Sequence, residues 1–185
     1  MDYVEAAAMI GCALTSIQAV ARVESLGAGF NPDRTPVTLF EGHKFREYTG
    51  GVFDSVAPDL SYRRWTNKFY GHTWQQEQAR IQRAMVLDRP AALSAASWGL
   101  FQILGANYGA AGFDRLQAFI NAMYRNERAH LLAFASFVIN TGLAPALRRR
   151  DWATFAGGYN GRSYAKHGYH LRMAAASDFF INAAA

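Results

Sequence analysis

The sequence predicts a mostly α-helical, single-domain protein with one small β element near residues 37–45. Apolar residues recur at intervals of three and four along most of the chain, which is the spacing of one face of a helix. Residues 37–40 read Val-Thr-Leu-Phe after a proline, a short, partly β-branched stretch that is typical of a strand. No repeat, low-complexity tract or Pro/Ser-rich linker divides the 185 residues, so we expect one domain over 1–185.

Residues that favour helix N-caps precede the apolar-periodic stretches. They predict helices beginning at Asp2 with Glu5 (to about Cys12), Thr15 or Ser16 (to Ser25), Thr73 (to Pro90), Asp114, Asn126 and Asp151. A short helix to about Ala96 should follow Pro90, and a last helix should cover 169–180. Residues 46–71 are rich in Gly, Asp, Ser, Tyr and Arg and are predicted to form an irregular loop. A loop of that length inside a compact domain is usually functional.

The composition is that of a globular protein. Hydrophobic residues make up 51% of the chain and charged residues 18%, which excludes a disordered protein. Cys12 is the single cysteine, so the chain forms no internal disulfide, and we expect it to be a core residue and not a nucleophile. The N-terminus lacks the basic region of a signal peptide, and no apolar run approaches the roughly 18 residues of a membrane span. We therefore expect synthesis in the cytoplasm.

Glu24 is the first candidate catalytic residue. It shares one helix face with Ile17 and Val20, so it should point into the core from the last turn of its helix. Apolar surroundings and the negative end of the helix dipole both raise the pKa of a carboxyl group, which suits a general acid. The alternative is a glutamate neutralised by an arginine, but Arg22 lies about 200° away around the helix.

Glu41 is the second candidate, because it follows the predicted strand and precedes a glycine that lets a ligand approach the backbone. The alternative is an ion pair with a nearby Lys or Arg. Two carboxylates at one cleft are what cleavage of a glycosidic bond requires. One protonates the leaving oxygen, and the other activates water or stabilises the oxocarbenium-like transition state.

Two glycine-containing aromatic segments, 97–108 and 157–161, have the character of sugar subsites. An aromatic face stacks on a sugar ring, and an amide bonds to hydroxyl or acetamido groups. The candidate substrate-binding residues are Ser97, Trp98, Gln102, Asn107, Tyr108, Tyr159 and Asn160.

We predict no metal and no cofactor. His167 and His170 lie three residues apart, but no paired carboxylate or cysteine spacing accompanies the five histidines. The formal net charge is +5, and most of the excess lies after Pro145, which indicates an anionic partner. No nucleic-acid motif is present, so nucleic acid is not an expected partner. A basic, non-catalytic module that binds nucleic acid or anionic envelope stays as an alternative function. Residues 147–173 are a candidate contact for anionic lipid or lipopolysaccharide.

Three motifs carry a resemblance to a known group. In chain order, Glu24-Ser25, then Gly-Leu-Phe-Gln-Ile at 99–103, then Tyr-Asn-Gly at 159–161 resemble goose-type lysozymes and soluble lytic transglycosylases. The segments 23–25, 39–45 and 97–102 are still more similar to the N-acetylmuramidase domain of phage endolysins. The resemblance covers about residues 16–180 and implies a lysozyme-like α+β fold.

The resemblance implies a peptidoglycan hydrolase that cleaves the β-1,4 bond between N-acetylmuramic acid and N-acetylglucosamine and so lyses bacteria. Glu24 matches the catalytic glutamate, Glu41 the second acidic residue, and Ser97, Gln102, Tyr159 and Asn160 match the saccharide cleft. The protein would be made in the host cytoplasm and reach the periplasm and wall through a holin-type lesion. We expect a monomer without a separate wall-binding domain, because the first helix starts almost at Met1.

One departure concerns the reaction outcome. Transglycosylases usually continue the glutamine motif with a proline, whereas Leu-Gly-Ala follows here at 104–106. A lytic transglycosylase that uses Glu24 and leaves a 1,6-anhydro product stays as an alternative. Retention or inversion depends on the separation of the two carboxyl groups, about 5 Å for retention and more than about 6.5 Å for inversion.

Overall fold

The computed structural model describes residues 3–25 and 27–184 and confirms a mostly helical fold with a small sheet. The elements are α1 Tyr3–Ile10, α2 Leu14–Ser25, β1 Thr38–Phe40, α3 Gly42–Tyr48, α4 Trp74–Leu87, α5 Arg89–Ser94, β2 Ala96–Trp98, β3 Ile103–Leu104, α6 Leu116–Arg125, α7 Glu127–Asn140, α8 Ala144–Arg149, α9 Trp152–Tyr159 and α10 Tyr169–Ala184. A 3₁₀ turn at Gly105–Asn107 follows β3.

The helices pack around a continuous apolar core. Helix α2 packs against α10 and α1 against α7. Helix α7 contributes Phe134 and Val138, which are fully buried, and Phe134 stacks on Phe101 with ring centroids 4.1 Å apart. Ile17 and Val20 are also fully buried, so the predicted inward face of α2 is confirmed.

The sheet is antiparallel in the order β1-β2-β3, with Thr38 opposite Trp98 and Ser97 opposite Leu104. The predicted strand is confirmed as β1, but it ends at Phe40, and residues 42–45 belong to α3. Strands β2 and β3 were missed, because two or three residues are too few to show an alternating pattern. A tight turn joins them, with Gly99 at φ 70° and Gln102 at φ 48°.

Three of the predicted caps are confirmed. Thr73 forms a capping box with Gln76, and the side chains of Asn126 and Asp151 accept hydrogen bonds from Ala129 N and Thr154 N. Asp88, next to Pro90, caps α5 in the same way.

The other predicted caps fare differently. Asp114 is not a cap, because α6 begins after Arg115, which makes no side-chain cap. Helix α2 already includes Thr15 and Ser16, so neither of them caps it. Asp2 lies outside the described residues. The predicted loop 46–71 begins three residues later than expected, where α3 ends.

No single helix within the described residues is long and apolar enough to cross a membrane. The pair α1 and α2, bent by 112°, meets the length and composition test only when the two helices are taken together.

Candidate active site

A cleft of about 820 Å³ opens between the sheet, α3, the end of α9 and the start of α10. It brings together both predicted catalytic carboxylates and five of the seven predicted saccharide-binding residues: Glu24, Glu41, Ser97, Gln102, Asn107, Tyr159 and Asn160. Segments more than 100 residues apart in the chain therefore meet at one site.

Glu24 reaches the cleft from the last turn of α2. The Asn160 amide donates a 2.8 Å hydrogen bond from Nδ2 to Glu24 Oε1. Burial raises the pKa of Glu24 from 4.5 to about 7, while the Asn160 hydrogen bond and the nearby Arg172 charge lower it by less. Near neutral pH, much of Glu24 is therefore protonated, and the Asn160 amide fixes the position of its carboxyl group.

The neighbouring residue ties the end of α2 to the sheet. Ser25 Oγ donates a 2.8 Å hydrogen bond to Leu100 O, and the Tyr159 hydroxyl donates a 2.6 Å bond to Phe101 O. These two bonds hold the turn between β2 and β3 beside Glu24, so the turn and the acid keep a fixed relation.

A buried histidine supports the same turn from below. His130 Nδ1 accepts the Leu100 N–H at 3.2 Å, so Nε2 carries the proton that is donated to Met123 O at 2.7 Å. Burial lowers the pKa of His130 and keeps this neutral form. A side chain at position 99 would lie 2.8 Å from the imidazole, which is why Gly99 stands there.

Glu41 reaches the cleft from the N-cap of α3 and has polar neighbours. The Tyr70 hydroxyl donates a 2.6 Å hydrogen bond to Glu41 Oε2, and His43 Nδ1 lies 3.4 Å from the same oxygen. Burial raises the pKa of Glu41, and the Tyr70 hydrogen bond and the Arg80 charge oppose that rise. The pKa of His43 is lowered, chiefly by burial, so this contact is not an ion pair at neutral pH.

The alternative interpretation of Glu41, an ion pair with a nearby Lys or Arg, is not what the structure has. Lys44 pairs with Glu47 at 2.9 Å, and within the described residues Glu41 has no Lys or Arg inside 4.0 Å.

A buried ion pair lies beneath Glu41. Glu77 and Arg80 of α4 pair at 2.7 Å, and both are more than nine-tenths buried. The Glu77 carboxylate also accepts hydrogen bonds of 2.8 Å from Phe40 N and Gly71 N. The pair thus joins strand β1, which leads to Glu41, to the loop that carries Tyr70.

Two predicted saccharide-binding residues do not line the cleft. Strand alternation puts Ser97 and Trp98 on opposite faces, so Ser97 faces the cleft and Trp98 is 98% buried. The indole Nε1 of Trp98 donates a 3.1 Å hydrogen bond to Leu93 O, so Trp98 is a core residue whose polar atom is satisfied within the protein. Tyr108 packs partly buried against the core. These placements correct the prediction for both residues.

Gln102 lines the cleft, but its amide also shapes the turn that carries it. Its Nε2 donates to Gly99 O at 2.8 Å and to Val37 O at 3.2 Å. Tyr159 also lines the cleft, but its hydroxyl is used within the protein and its ring packs against the rings of Phe134, Phe137 and Phe155. Both side chains therefore build the cleft wall.

Sequence reasoning missed several cleft residues, among them His43, Trp65 and Tyr70. Two of them come from the loop after α3, where irregular backbone leaves no periodicity to read. Trp65 is 54% exposed, and its ring centroid lies 5.9 Å from that of His167 on the opposite rim. The available signal was the length of the loop and its aromatic content.

Residues 147–173 do not form one basic face. They comprise parts of α8, α9, a series of turns and the start of α10. Arg148 donates to Ile10 O at 2.6 Å, whereas Arg162 and Lys166 line the cleft. The contact with anionic lipid or lipopolysaccharide stays a prediction. Among the described residues, no group of three His, Cys, Asp or Glu is arranged to hold a metal ion.

Comparison with known proteins agrees with the resemblance. Residues 13–180 match the family described as N-acetylmuramidase. The crystal structure of the Burkholderia AP3 phage endolysin is similar, with a TM-score of 0.85 and 36% sequence identity over 100% of this chain and 70% of that one. The search of curated proteins gave no match.

Proposed function

The chain belongs to the N-acetylmuramidase family, and we propose that Glu24 is the general acid of its reaction. As a member of that family it is a glycoside hydrolase whose substrate is peptidoglycan. The single observation that carries the proposal is the Glu24 carboxyl group, which lines the cleft from an apolar helix face with its pKa raised to about 7.

Glu24 transfers its proton to the oxygen that bridges N-acetylmuramic acid and N-acetylglucosamine. Because Asn160 Nδ2 already bonds to Oε1, the proton is carried on Oε2. As the C–O bond breaks, Glu24 becomes a carboxylate, and the same amide N–H stabilises that charge. Asn160 therefore positions the acid before transfer and stabilises the charge afterwards.

Glu41 is the second carboxylate. As an anion it stabilises positive charge at the anomeric carbon or activates the attacking water. The Tyr70 hydroxyl favours the anionic form, because it donates to Glu41 Oε2. Glu41 also supports hydrolysis over transglycosylation, since lytic transglycosylases commonly work with a single carboxylate.

The test is mass spectrometry of the products released from purified sacculi by the wild type and by Glu24→Gln. Hydrolysis leaves a muramic acid reducing end that has gained water, whereas a transglycosylase leaves a 1,6-anhydro end. We expect the first product from the wild type and none from the variant. Undiminished cleavage by Glu24→Gln would remove Glu24 from the mechanism.

We further propose that the protein acts as an endolysin, made in the cytoplasm of an infected bacterium and released to the wall through a membrane lesion made by another protein. Expression in a bacterial host should leave cells intact until the inner membrane is permeabilised. Lysis without permeabilisation would contradict this route.

A further inference from the structure

The rim of the cleft carries several Lys and Arg residues, although the proposed cleavage of the glycan uses none of them. Two segments, 62–70 and 161–168, meet across it through the contact between Trp65 and His167. Together they carry five of the 19 Lys and Arg residues of the chain and none of its 14 acidic residues. The five are Arg63, Arg64, Lys68, Arg162 and Lys166.

Within the described residues none of these five cations forms an ion pair. Lys44, the other cation that lines the cleft, differs because Glu47 neutralises it at 2.9 Å. Arg162 and Lys166 line the cleft directly and are exposed. Their charge is therefore available to a bound molecule.

The segment that holds Arg162 and Lys166 is an ordered series of turns. Tyr164 N donates to Gly161 O and Tyr169 N donates to Tyr164 O, each at 3.1 Å. The Tyr164 ring packs against Gly157 of α9 and edge-on against His170, with ring centroids 5.2 Å apart. The two cations are thus carried by a turn anchored on both sides.

The glycan backbone of peptidoglycan is neutral, and its charge lies in the carboxylates of the peptide stems attached to the muramic acid lactyl group. We propose that Arg162 and Lys166 bind these carboxylates, so that the cleft prefers stem-bearing glycan over bare glycan. The inference rests on the proposed function and names the part of the polymer that this rim recognises. Long flexible cations suit a stem whose carboxylates vary in position.

The experiment compares glycan strands that carry their stems with the same strands stripped by an amidase. Because the amidase leaves a free lactyl carboxylate on each muramic acid, that carboxylate is then converted to its methylamide with a carbodiimide, so that the bare strand is neutral. We expect the wild type to cleave stem-bearing strands with a kcat/KM about tenfold higher. Arg162→Gln/Lys166→Gln should lose most of that preference, because the substitutions should lower kcat/KM mainly for stem-bearing strands. The preference should also shrink as salt rises from 20 to 300 mM, since exposed charges are screened beyond about 8 Å at physiological ionic strength.

Two matched variants separate charge from shape. Arg125→Gln/Arg149→Gln removes the same charge from exposed positions outside the cleft and should keep the wild-type preference. The exchange Arg162→Lys/Lys166→Arg keeps the charge and should keep the preference too. Equal cleavage of both substrates by the wild type, or an unchanged preference in Arg162→Gln/Lys166→Gln, would overturn the proposal. Failure of the proposed function is distinct, since no muramic acid end would then appear from either substrate.

Discussion

Glu24 and Glu41 meet at one cleft but come from two different kinds of structure. Glu24 lies in the last turn of a 12-residue helix, on the face that also carries the fully buried Ile17 and Val20, and an amide is its hydrogen-bond partner. Glu41 begins a seven-residue helix beside a tyrosine hydroxyl and an imidazole, above a buried ion pair. Burial raises the pKa of both carboxyl groups, to about 7 at Glu24, while the Tyr70 hydroxyl and the Arg80 charge oppose the rise at Glu41. The two roles that we propose for these identical side chains follow from this difference.

The largest expected effect is on kcat, and it should differ between substitutions at Glu24 and at Glu41. Glu24→Gln should lower kcat by about a thousandfold, because general acid catalysis contributes about a hundredfold to ten-thousandfold. Glu41→Gln should lose less, about a hundredfold, since part of the stabilisation by the protein remains. Initial rates of sacculus cleavage measure both. A larger loss in Glu41→Gln than in Glu24→Gln would reverse the assigned roles.

The substitution Tyr70→Phe tests how the Tyr70 hydroxyl affects the pKa of Glu41. Removing the hydroxyl removes a hydrogen bond that lowers the pKa of Glu41, so that pKa should rise further. The acidic limb of the kcat/KM profile should then move to higher pH, with a loss of about tenfold at pH 5. Tyr62→Phe is the matched control, because within the described residues the buried Tyr62 hydroxyl is hydrogen-bonded neither to Glu41 nor to another group. An unmoved acidic limb in Tyr70→Phe would disconnect this tyrosine from catalysis.

The substitution Asn160→Ala tests how the Asn160 amide affects the pKa of Glu24. The lost amide N–H favoured the carboxylate, so the pKa of Glu24 should rise above its present value of about 7. The alkaline limb of the profile, expected near pH 7 in the wild type, should move upward while kcat falls several-fold. Rates measured from pH 5 to 9 test this. A downward shift of that limb would contradict the role given to the amide.

The last effect concerns stability and not rate. Folding raises the pKa of Glu24 from 4.5 to about 7, so the folded state holds a proton that the unfolded state releases. The stability linked to this proton is complete below pH 4.5 and is lost as pH rises to about 7, by roughly 3 kcal/mol at most. Glu24→Gln should therefore resist urea better than the wild type at pH 8 and equally at pH 4. Equal stability at both pH values would contradict a buried Glu24.

The same comparison explains what the sequence could predict. Glu24 belongs to a regular helix, so its spacing from Ile17 and Val20 was enough to place it on the inward side of that helix, where it lines the cleft. Tyr70 belongs to an irregular loop, where the spacing of residues does not predict which way a side chain points. Glu77 shows that helical spacing alone does not identify a catalytic residue. It shares a helix face with the buried Ile81 and Ala84, as Glu24 does with Ile17 and Val20, yet its carboxylate forms a structural ion pair with Arg80.

Short elements account for the other differences. Trp98 and Ser97 belong to a three-residue strand, and nothing in so short a stretch says which of them faces the cleft. Their partner strand is known only once residues 38–40 are placed beside them. Long-range pairing therefore decides which residues line the cleft, and a single sequence does not show which strands will pair.

The turn at 99–102 has a consequence for biosynthesis. Its anchors lie 30, 58 and 75 positions away along the chain, and the amide that holds the acid lies 136 positions away from it. Such distant contacts form only after the intervening polypeptide is present to close the loop. A nascent chain that stops before α9 lacks both Tyr159, which anchors the turn, and Asn160, which holds Glu24, so we expect it to be inactive until about residue 160 has been synthesised.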